Sequence, residues 1–462
     1  MRISMYLVLL GTYGFIASLW DLQYAVPEMV GGAALATVVL AVIGYLAAKR
    51  RISFSPAMIL FLAACCRLLF VFHPVSLSDD IFRYLFDGRQ LLFGVNPYTL
   101  SPVDAARFNV SLVALAEKVN HPELVTIYPP AAQLLFAAGA LSGSVTGMKL
   151  FLIGLDLFLI LLILRLLSAL DLPPWRAIFY AWHPLSVIEI AASGHIDGAG
   201  IFFVFLALCA CFPRPRGGKD FLNGPADSDF TGNRVFLPFT GGVVFSIAVL
   251  VKLLPVVFLP GYLRLSRGHG RWLFLLGFVI GCLLLILPFL PDIRNSFATL
   301  QRYGATWEFS GFLFRSLRNL FSSGKVARVM LGVLFVLVVG WCHGRAGVGR
   351  NTTSTSSEML LEVLKTGYFI SLCFLLLTPT LHPWYALYLL AFLPFCPEVA
   401  GIVLSWSVLL GYRVLIAHGI LKVWQEDSGT SLMIWAAPVA AFLLLQLTTR
   451  SHLFFSRISR AR

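Results

Sequence analysis

The stretch GMKLFLIGLDLFLILLILRLL, residues 147–167, decides the fold class. It is 21 residues long and almost entirely apolar. A helix needs about 20 apolar residues to cross a hydrocarbon core. Such lengths predict an all-α, polytopic bundle of transmembrane helices. Comparable stretches recur along the chain at 4–20, 27–47, 55–73, 177–192, 197–212, 272–290, 327–343, 359–378, 399–416 and 431–448.

The composition agrees with a membrane protein. Of the 462 residues, 58% are hydrophobic and 12% are charged, whereas a soluble domain carries about 25% charged residues. Segment 383–396 is shorter, and we count it as a further span. The chain is therefore expected to be a single membrane domain, residues 1–462, with about 13 or 14 spans and no soluble domain.

Residues 236–264 are apolar but interrupted. Pro255 and Pro260 break the helical pattern, and Lys252 places a charge inside it. We expect two short helices that form a hairpin. A single tilted span, with Lys252 extending toward the nearest interface, is the alternative.

The net charge of +13 comes from basic residues that cluster at the ends of spans. Because cytoplasmic loops are enriched in Lys and Arg, one topology places every cluster in the cytoplasm. The clusters are Lys49, Arg50 and Arg51; Arg214, Arg216 and Lys219; Arg264, Arg267 and Arg271; Arg345 and Arg350; and Arg450, Arg457, Arg460 and Arg462. This pattern indicates a bilayer as partner and gives no support for nucleic acid.

The same topology assigns the large loops. Both termini are inside, and the first apolar segment is a retained signal anchor. Residues 127–142 do not cross, so 74–146 and 291–326 become two extracytoplasmic loops, the first after the third span. We expect a multi-pass protein of the plasma (inner) membrane with its active site outside. The sequence does not indicate the oligomeric state.

Several chemical classes find no support in the sequence. All eight cysteines lie in or beside apolar spans, so they are expected to be core residues rather than disulfides or metal ligands. The chain has no Walker loop, GxSxG, HExxH or CxxC motif. No cofactor is indicated, and the use of a divalent metal stays open.

Ser78 to Phe93 is expected to be an amphipathic helix with Ser78 as its N-cap. Asp80, Arg83, Tyr84 and Asp87 share one face, and Asp79 is expected to reach Arg83 at i+4. Carboxylates beside a membrane are costly to desolvate and can act as bases or metal ligands. The alternative is an acidic helix start that complements the helix dipole.

Further polar residues fall at the same ends of other spans. They suggest a shared cavity, although polar turns, interfacial aromatic anchors and lipid contact are the alternatives. The second loop adds Arg302, Tyr303, Trp307, Glu308, Arg315 and Arg318, and such outward bases suit an anionic ligand such as phosphate. The other residues are Glu189, His195, Asp197, His382, Trp384 and Tyr385.

Five strings together carry a family resemblance. They are SDDIFRYLFDGRQLLFGVNPYTLSP (78–102), TIYPPAAQLLF (126–136), WHPLSVIEIAASGHIDGAG (182–200), VLVKLLPVVFLP (249–260) and TPTLHPWYALYLL (378–390). In this order they resemble the GT-C superfamily of integral-membrane glycosyltransferases. The similarity is greatest to bacterial polyprenol-phosphate-mannose-dependent mannosyltransferases.

The resemblance implies a polyprenyl-phosphate sugar donor, with a hexose such as mannose, and inverting transfer to a lipid or glycan hydroxyl outside the cell. It also implies that an acidic residue of the first outer loop is the base. The matching residue is Asp80, four positions before Tyr84, with Asp79 as second choice. Some relatives have a spaced Asp-x-Asp, so the choice between these two acids and any metal requirement stay open.

The remaining roles follow from the same strings and from the basic residues of the second loop. Lys252 and one or more of Arg83, Arg315 and Arg318 are expected to bind the donor phosphate. The substrate-binding residues are expected to be Tyr84, Asp87, Asn96, Tyr98, Tyr128, Glu189, His195, Asp197, His382, Trp384 and Tyr385. A transporter or lipid-sugar flippase is the main alternative function, and a lipid phosphotransferase is another.

Overall fold

The computed structural model describes residues 2–212, 236–346, 355–421 and 423–448. Within these ranges the chain is helical, with isolated bridges between residues 309–310 and Thr380 in place of strands. The helices are α1 (Arg2–Ser18), α2 (Val26–Ala48), α3 (Pro56–Leu68), α4 (Asp80–Leu92), α5 (Pro102–Phe108), α6 (Val113–Ala116), α7 (Pro130–Ala140), α8 (Val145–Ala169), α9 (Ile178–Ala181), α10 (Pro184–Ser186), α11 (Asp197–Cys211), α12 (Phe236–Val251), α13 (Leu259–Leu265), α14 (Gly270–Ile286), α15 (Ile293–Thr306), α16 (Phe312–Phe321), α17 (Gly324–Arg345), α18 (Ser356–Leu377), α19 (Ala386–Phe392), α20 (Val399–Ser407), α21 (Val414–Leu421) and α22 (Ser428–Thr448).

Membrane-length helices dominate the described ranges, which confirms the polytopic helical bundle. Seven helices there are long and apolar enough to span a bilayer, or eight if one bent pair is a single span. Six further apolar helices are 10–17 residues long. The figure of 13 or 14 spans stays a prediction, as does the sidedness of the loops. The basic residues at 214–219, Arg350 and those from 450 onward lie outside the described ranges.

Lipid-facing and interior helices differ in what they expose. Gly270–Phe289 and Gly324–Arg345 are among the least buried spans, and side chains such as Leu284 and Leu337 point outward. By contrast, α11 and α19 are almost wholly buried. Apolar side chains on the outer spans face no penalty in lipid, because lipid tails are as apolar as leucine.

The break predicted at Lys252 is present. α12 ends at Val251, a 3₁₀ helix covers Leu254–Phe258, and α13 follows. Phe245 and Tyr262, on opposite sides of the break, pack with ring centroids 4.3 Å apart. The two legs therefore fold against each other as the expected hairpin, and Lys252 lies at its tip.

A second interruption lies between α10 and α11. A π-helix covers Val187–Ala192, a turn follows, and the segments Pro184–Ala192 and Asp197–Cys211 are bent by 116°. Gly194 has a φ of +78°, which only glycine adopts readily, and the side chain of Ile81 packs against it. Broken membrane helices are tolerated where they line a cavity or are buried in protein.

The first outer loop is a helical lobe built on α4 and α7. Gly88 makes the packing possible, since a Cβ there would lie 2.3 Å from the carbonyl oxygen of Phe136. α7 is 11 residues long, too short to cross as a helix, in line with the prediction for 127–142. The eight cysteines are free thiols in or beside spans, as expected.

Two local predictions for α4 were wrong. The helix begins at Asp80 with Asp79 as its N-cap residue, and Ser78 Oγ accepts from the Asp80 N–H instead. Serine and aspartate are equally good N-caps, so the run Ser-Asp-Asp did not fix the position. Arg83 does not pair with Asp79, because its guanidinium is held by three backbone carbonyls on the opposite side.

Candidate active site

The start of α4, the turn 193–197 and the hairpin tip at Lys252 converge. The Tyr84 hydroxyl is hydrogen-bonded to the backbone of Ile196, which joins the first outer loop to the broken span. Asp197, one residue later, forms an ion pair with Lys252. Residues far apart in sequence are therefore brought together here.

Asp80 lies at the N-terminus of α4 and is half-buried. The Tyr128 hydroxyl donates to its Oδ2 at 3.2 Å and lies 3.4 Å from the Tyr84 hydroxyl. Tyr84, Tyr128 and Phe136 pack as a ring cluster, with Tyr84 stacked on Phe136 at 4.4 Å. The carboxylate is thus oriented by a phenol and the helix N-terminus, and no cation neutralises it within hydrogen-bond distance among the described residues.

Asp79 is the more exposed of the two acids. Partial burial and the neighbouring charge of Asp80 raise the pKa of Asp79, while His418 opposes this shift. Two adjacent carboxylates resist ionising together, so Asp79 favours its protonated form more than an isolated aspartate does. Of the two acids, Asp80 is the one that a neighbouring side chain, Tyr128, orients.

Lys252 is a compact cation at the centre of the site. Its ammonium pairs with Asp197 and lies 4.5 Å from the centroid of the Tyr385 ring. The Tyr385 hydroxyl is 3.1 Å from that of Tyr303 on α15. With 23% of its side chain exposed, Lys252 remains reachable. A lysine in this position can bind a phosphate as a point charge.

Glu189 is completely buried in the π-helix and fully engaged. The Tyr412 hydroxyl lies 2.9 and 3.0 Å from its two carboxylate oxygens, and His195 Nδ1 is 2.9 Å from Oε2. The single Tyr412 O–H is shared between the two oxygens and fixes the carboxylate in place, with the His195 ring beside it.

Four rings stack into a ring column that consists of Phe309, His382, Trp384 and His195. The centroid separations are 4.7, 4.3 and 4.0 Å in that order, with interplanar angles of 18°, 5° and 23°. Trp384 stacks on both His382 and His195. The column therefore connects His195 with Phe309 of the second outer loop.

Arg83 and Asp87 lie on the buried side of α4. Arg83 donates to the carbonyls of Asn120, His121 and Leu124 and is 3.9 Å from Asp87. Burial raises the pKa of Asp87 to about 6, although Arg83, Thr126 and Gln133 lower it. Both residues hold the lobe together, and their contacts offer no support for a direct role toward a substrate.

Arg315 and Arg318 are both neutralised by acids of neighbouring segments. Arg315 pairs with Glu426, which also accepts from the Ser310 N–H at 2.8 Å, and Arg318 pairs with Glu308. Both arginines lie in the second outer loop. To bind a phosphate, the role expected of them, each would have to leave its ion pair.

Asn96 and Tyr98 link the two outer loops. Asn96 Nδ2 donates to Asp292 at 3.0 Å, and the Tyr98 backbone carbonyl accepts from Asn295 at 2.9 Å. The Tyr98 hydroxyl donates to the backbone carbonyl of Tyr128 at 2.6 Å. Tyr98 thereby supports Tyr128, while Asn96 ties the two loops together through Asp292.

Sequence reasoning did not single out Tyr412, Arg67 or Asp156. Tyr412 holds Glu189, and Arg67 pairs with Asp156 inside the bundle. The two charges inside apolar spans were a usable signal, because such residues are rare in membranes and have partners. Among the residues that the structure covers, no group of three His, Cys, Asp or Glu side chains is placed to hold a metal ion.

Comparison with known families gives one match. A family model described as Glycosyltransferase family 87 matches residues 126–377, which is more than half of the chain. The matched segment includes Tyr128, Glu189, His195 and Lys252, and it begins after Asp80. No curated protein and no solved structure matches the chain.

Proposed function

The chain belongs to glycosyltransferase family 87, a family of GT-C-type membrane glycosyltransferases, and from this membership we propose that it moves a hexose from a polyprenyl phosphate to a hydroxyl acceptor. Membership in this family supports an enzyme that transfers a sugar rather than a protein that transports one. The polyprenyl-phosphate donor, the extracytoplasmic site in a plasma membrane and mannose as the hexose rest on the motif resemblance. A lipid or glycan acceptor rests on the same ground.

The proposed reaction needs one base and one cation. The acceptor hydroxyl gives its proton to the Asp80 carboxylate while its oxygen bonds to the anomeric carbon. The bond between that carbon and the phosphate oxygen breaks, and its electron pair leaves with the polyprenyl phosphate. Because attack comes from the face opposite the leaving phosphate, the configuration inverts. A positioned carboxylate typically contributes about 10²–10⁴-fold to such a step.

The single observation that carries this assignment is the contrast in how the acids are held. Asp80 is oriented by Tyr128 yet half-buried, whereas Glu189 and Asp197 are engaged with His195, Tyr412 and Lys252. Asp80 therefore combines orientation by an uncharged partner with partial exposure, whereas Asp197 is fully buried and held by a cation. Asp79, whose pKa is raised, is the second choice.

Lys252 is proposed to receive the donor phosphate. It lies at the tip of a broken hairpin, where irregular backbone can meet a ligand inside the bundle. Asp197 balances its charge before the donor binds, and its other carboxylate oxygen, Oδ2, is buried without a hydrogen-bond partner among the described residues. That oxygen and His195 Nε2, in the same condition, are suited to hydrogen-bond sugar hydroxyls.

Incubation of the purified full chain with a panel of polyprenyl-phosphate sugars tests the function. We expect polyprenyl phosphate to be released together with a glycosylated product, with one hexose donor preferred. Vesicles that contain the chain and a fluorescent lipid-linked sugar provide the opposing test. Movement of the intact lipid across the bilayer, with no release of polyprenyl phosphate from any donor, would support a flippase instead.

A further inference from the structure

A charged pair lies inside the bundle, outside the site described above. Arg67 on α3 and Asp156 on α8 form an ion pair, and at most 1% of either side chain is exposed. Charged groups in membrane spans are costly and, when present, usually serve a substrate path or a defined structural task. The pair does not contact Asp80 or Lys252 in any hydrogen bond or ion pair.

The Arg67 guanidinium reaches from α3 to the segment that precedes the π-helix. It donates to the Ala181 carbonyl at 2.8 Å and to Ser186 Oγ at 3.3 Å. On the other side of the pair, Asp156 Oδ1 accepts from the Tyr180 hydroxyl at 2.5 Å. Both charges therefore bind residues 180–186 as well as each other.

Segment 180–186 is fixed by further buried bonds. Ser186 Oγ lies 2.7 Å from the Tyr180 carbonyl, Trp182 Nε1 donates to the Ile59 carbonyl at 2.9 Å, and the Trp182 carbonyl accepts from the Tyr13 hydroxyl at 2.6 Å. Helices α1, α3 and α8 thus hold a stretch that contains only the short α9 and α10. Such short helices have little stability of their own.

The π-helix of the site begins at Val187, directly after this segment. Its backbone bonds run from Ser193 N to Ile188 O and from His195 N to Glu189 O, each 2.9 Å. At its start the Val187 N–H donates to the His183 carbonyl at 3.4 Å, so the backbone of 180–186 continues directly into the segment that carries Glu189 and His195.

The free energy of burying the Arg67–Asp156 pair distinguishes a positioning role for the pair from a stabilising one. A buried ion pair can often be replaced by apolar side chains of similar volume without loss of stability, because desolvation offsets the attraction between the charges. Apolar side chains would fill the space equally well, but they would not bind the Ala181 carbonyl and the Tyr180 hydroxyl. The charged pair therefore supplies directional hydrogen bonds that apolar side chains cannot.

We propose that Arg67 and Asp156 are positioning residues, which act through 180–186 to hold the turn with Glu189, His195 and Asp197 in register with Lys252. The inference rests on the proposed function for its effect on turnover. The structural part of the proposal is that the remote ion pair orders residues 187–197. This part does not depend on which reaction the protein catalyses.

The paired variant Arg67→Met with Asp156→Leu is the test, since it removes both charges and leaves neither unpaired. We expect amide hydrogen exchange of residues 187–197 to become at least about 10-fold faster than in the unaltered chain. We also expect turnover to fall at least about 10-fold, with the KM for the donor changed less than about threefold. Arg67→Lys, which keeps the charge, should restore part of both losses.

The matched control is Lys149→Met, which removes a buried charge from the same helix, α8. Lys149 donates to the carbonyls of Phe70 and His73 and does not bind 180–186. Exchange at 187–197 should be unchanged in this variant. If the Arg67/Asp156 variant does not fold, Tyr180→Phe with Ser186→Ala removes the bonds from Tyr180 to Asp156 and from Arg67 to Ser186 while keeping the one to the Ala181 carbonyl, and should give at least about threefold faster exchange.

Exchange at 187–197 that is unchanged in the folded variants would overturn the positioning role. Faster exchange with unaltered turnover would also overturn it, because the turn would then have no part in the reaction. If the unaltered chain transfers no sugar from any donor, the proposed function fails, while the exchange comparison still decides whether the pair orders the turn.

Discussion

Asp80 and Glu189 are acids of the same site in opposite surroundings. Asp80 is half-buried and receives one hydrogen bond, from Tyr128. Glu189 is fully buried, and the single Tyr412 O–H is shared between its two oxygens, with His195 beside it. The comparison supports the proposal that a carboxylate suits the role of base where it is oriented yet accessible, and a structural role where it is completely buried.

Removal of Glu189 should have the largest effect on stability. Glu189→Ala leaves the buried Tyr412 hydroxyl without its acceptor, and an unsatisfied buried polar group costs about 1–3 kcal/mol. We expect a large loss of unfolding free energy in mild detergent, measured by denaturant titration. Glu189→Gln keeps one acceptor oxygen and should lose less. A Glu189→Ala protein of unaltered stability would contradict the scaffold role.

Lys252 should carry donor binding. Lys252→Met removes the cation while keeping much of the length of the side chain, and leaves Asp197 without its partner. We expect kcat/KM for the lipid donor to fall about 30–100-fold, equivalent to about 2–3 kcal/mol. The control is Lys325→Met, at the boundary of the second outer loop, which should leave kcat/KM for the lipid donor unchanged. Unchanged donor affinity would remove Lys252 from the phosphate site.

Asp87 should make the stability of the first lobe depend on pH. Its pKa of about 6 in the folded chain lies above the ordinary value of 3.8, so the folded protein holds a proton that the unfolded chain releases between these values. Stability should therefore fall as pH rises from about 4 to about 6, by on the order of 2 kcal/mol. Asp87→Asn should flatten this dependence. A thermal-melt series in which both proteins show the same slope would exclude the effect.

Tyr128 should have the smallest effect of the four. Tyr128→Phe keeps the ring against Tyr84 and Phe136 and removes only the hydroxyl that orients Asp80. A hydrogen bond of this kind is worth about 1 kcal/mol, so kcat should fall about three- to tenfold with little change in KM. A loss equal to that of Asp80→Asn would instead indicate that the phenol itself takes part in proton transfer.

Much of the fold could be predicted from the sequence, because the length of apolar stretches is a direct physical requirement of the bilayer. Residues 147–167 fall within α8, and Lys252 with Pro255 marked the hairpin tip. The N-cap of α4 could not be placed, since Ser78 and Asp79 are chemically equivalent caps.

The site was predictable only in part. The strings that contain Glu189, His195 and Lys252 identified residues that do come together. Which charges are already neutralised was not predictable, because Arg315 and Glu426 are 111 positions apart and only folding pairs them. The same holds for Tyr412 and Glu189, and for the stacking of Trp384 on His195 in the ring column.

Single-turnover transfer by Asp80→Asn and Asp79→Asn tests the central claim most directly. The claim is that Asp80 takes the proton of the acceptor, so Asp80→Asn should fold, bind donor normally and react at least about 100-fold more slowly. Asp79→Asn should lose less, since it leaves the oriented base intact. Near-normal rates in both variants would contradict the mechanism, and a larger loss in Asp79→Asn would transfer the role of base to its neighbour.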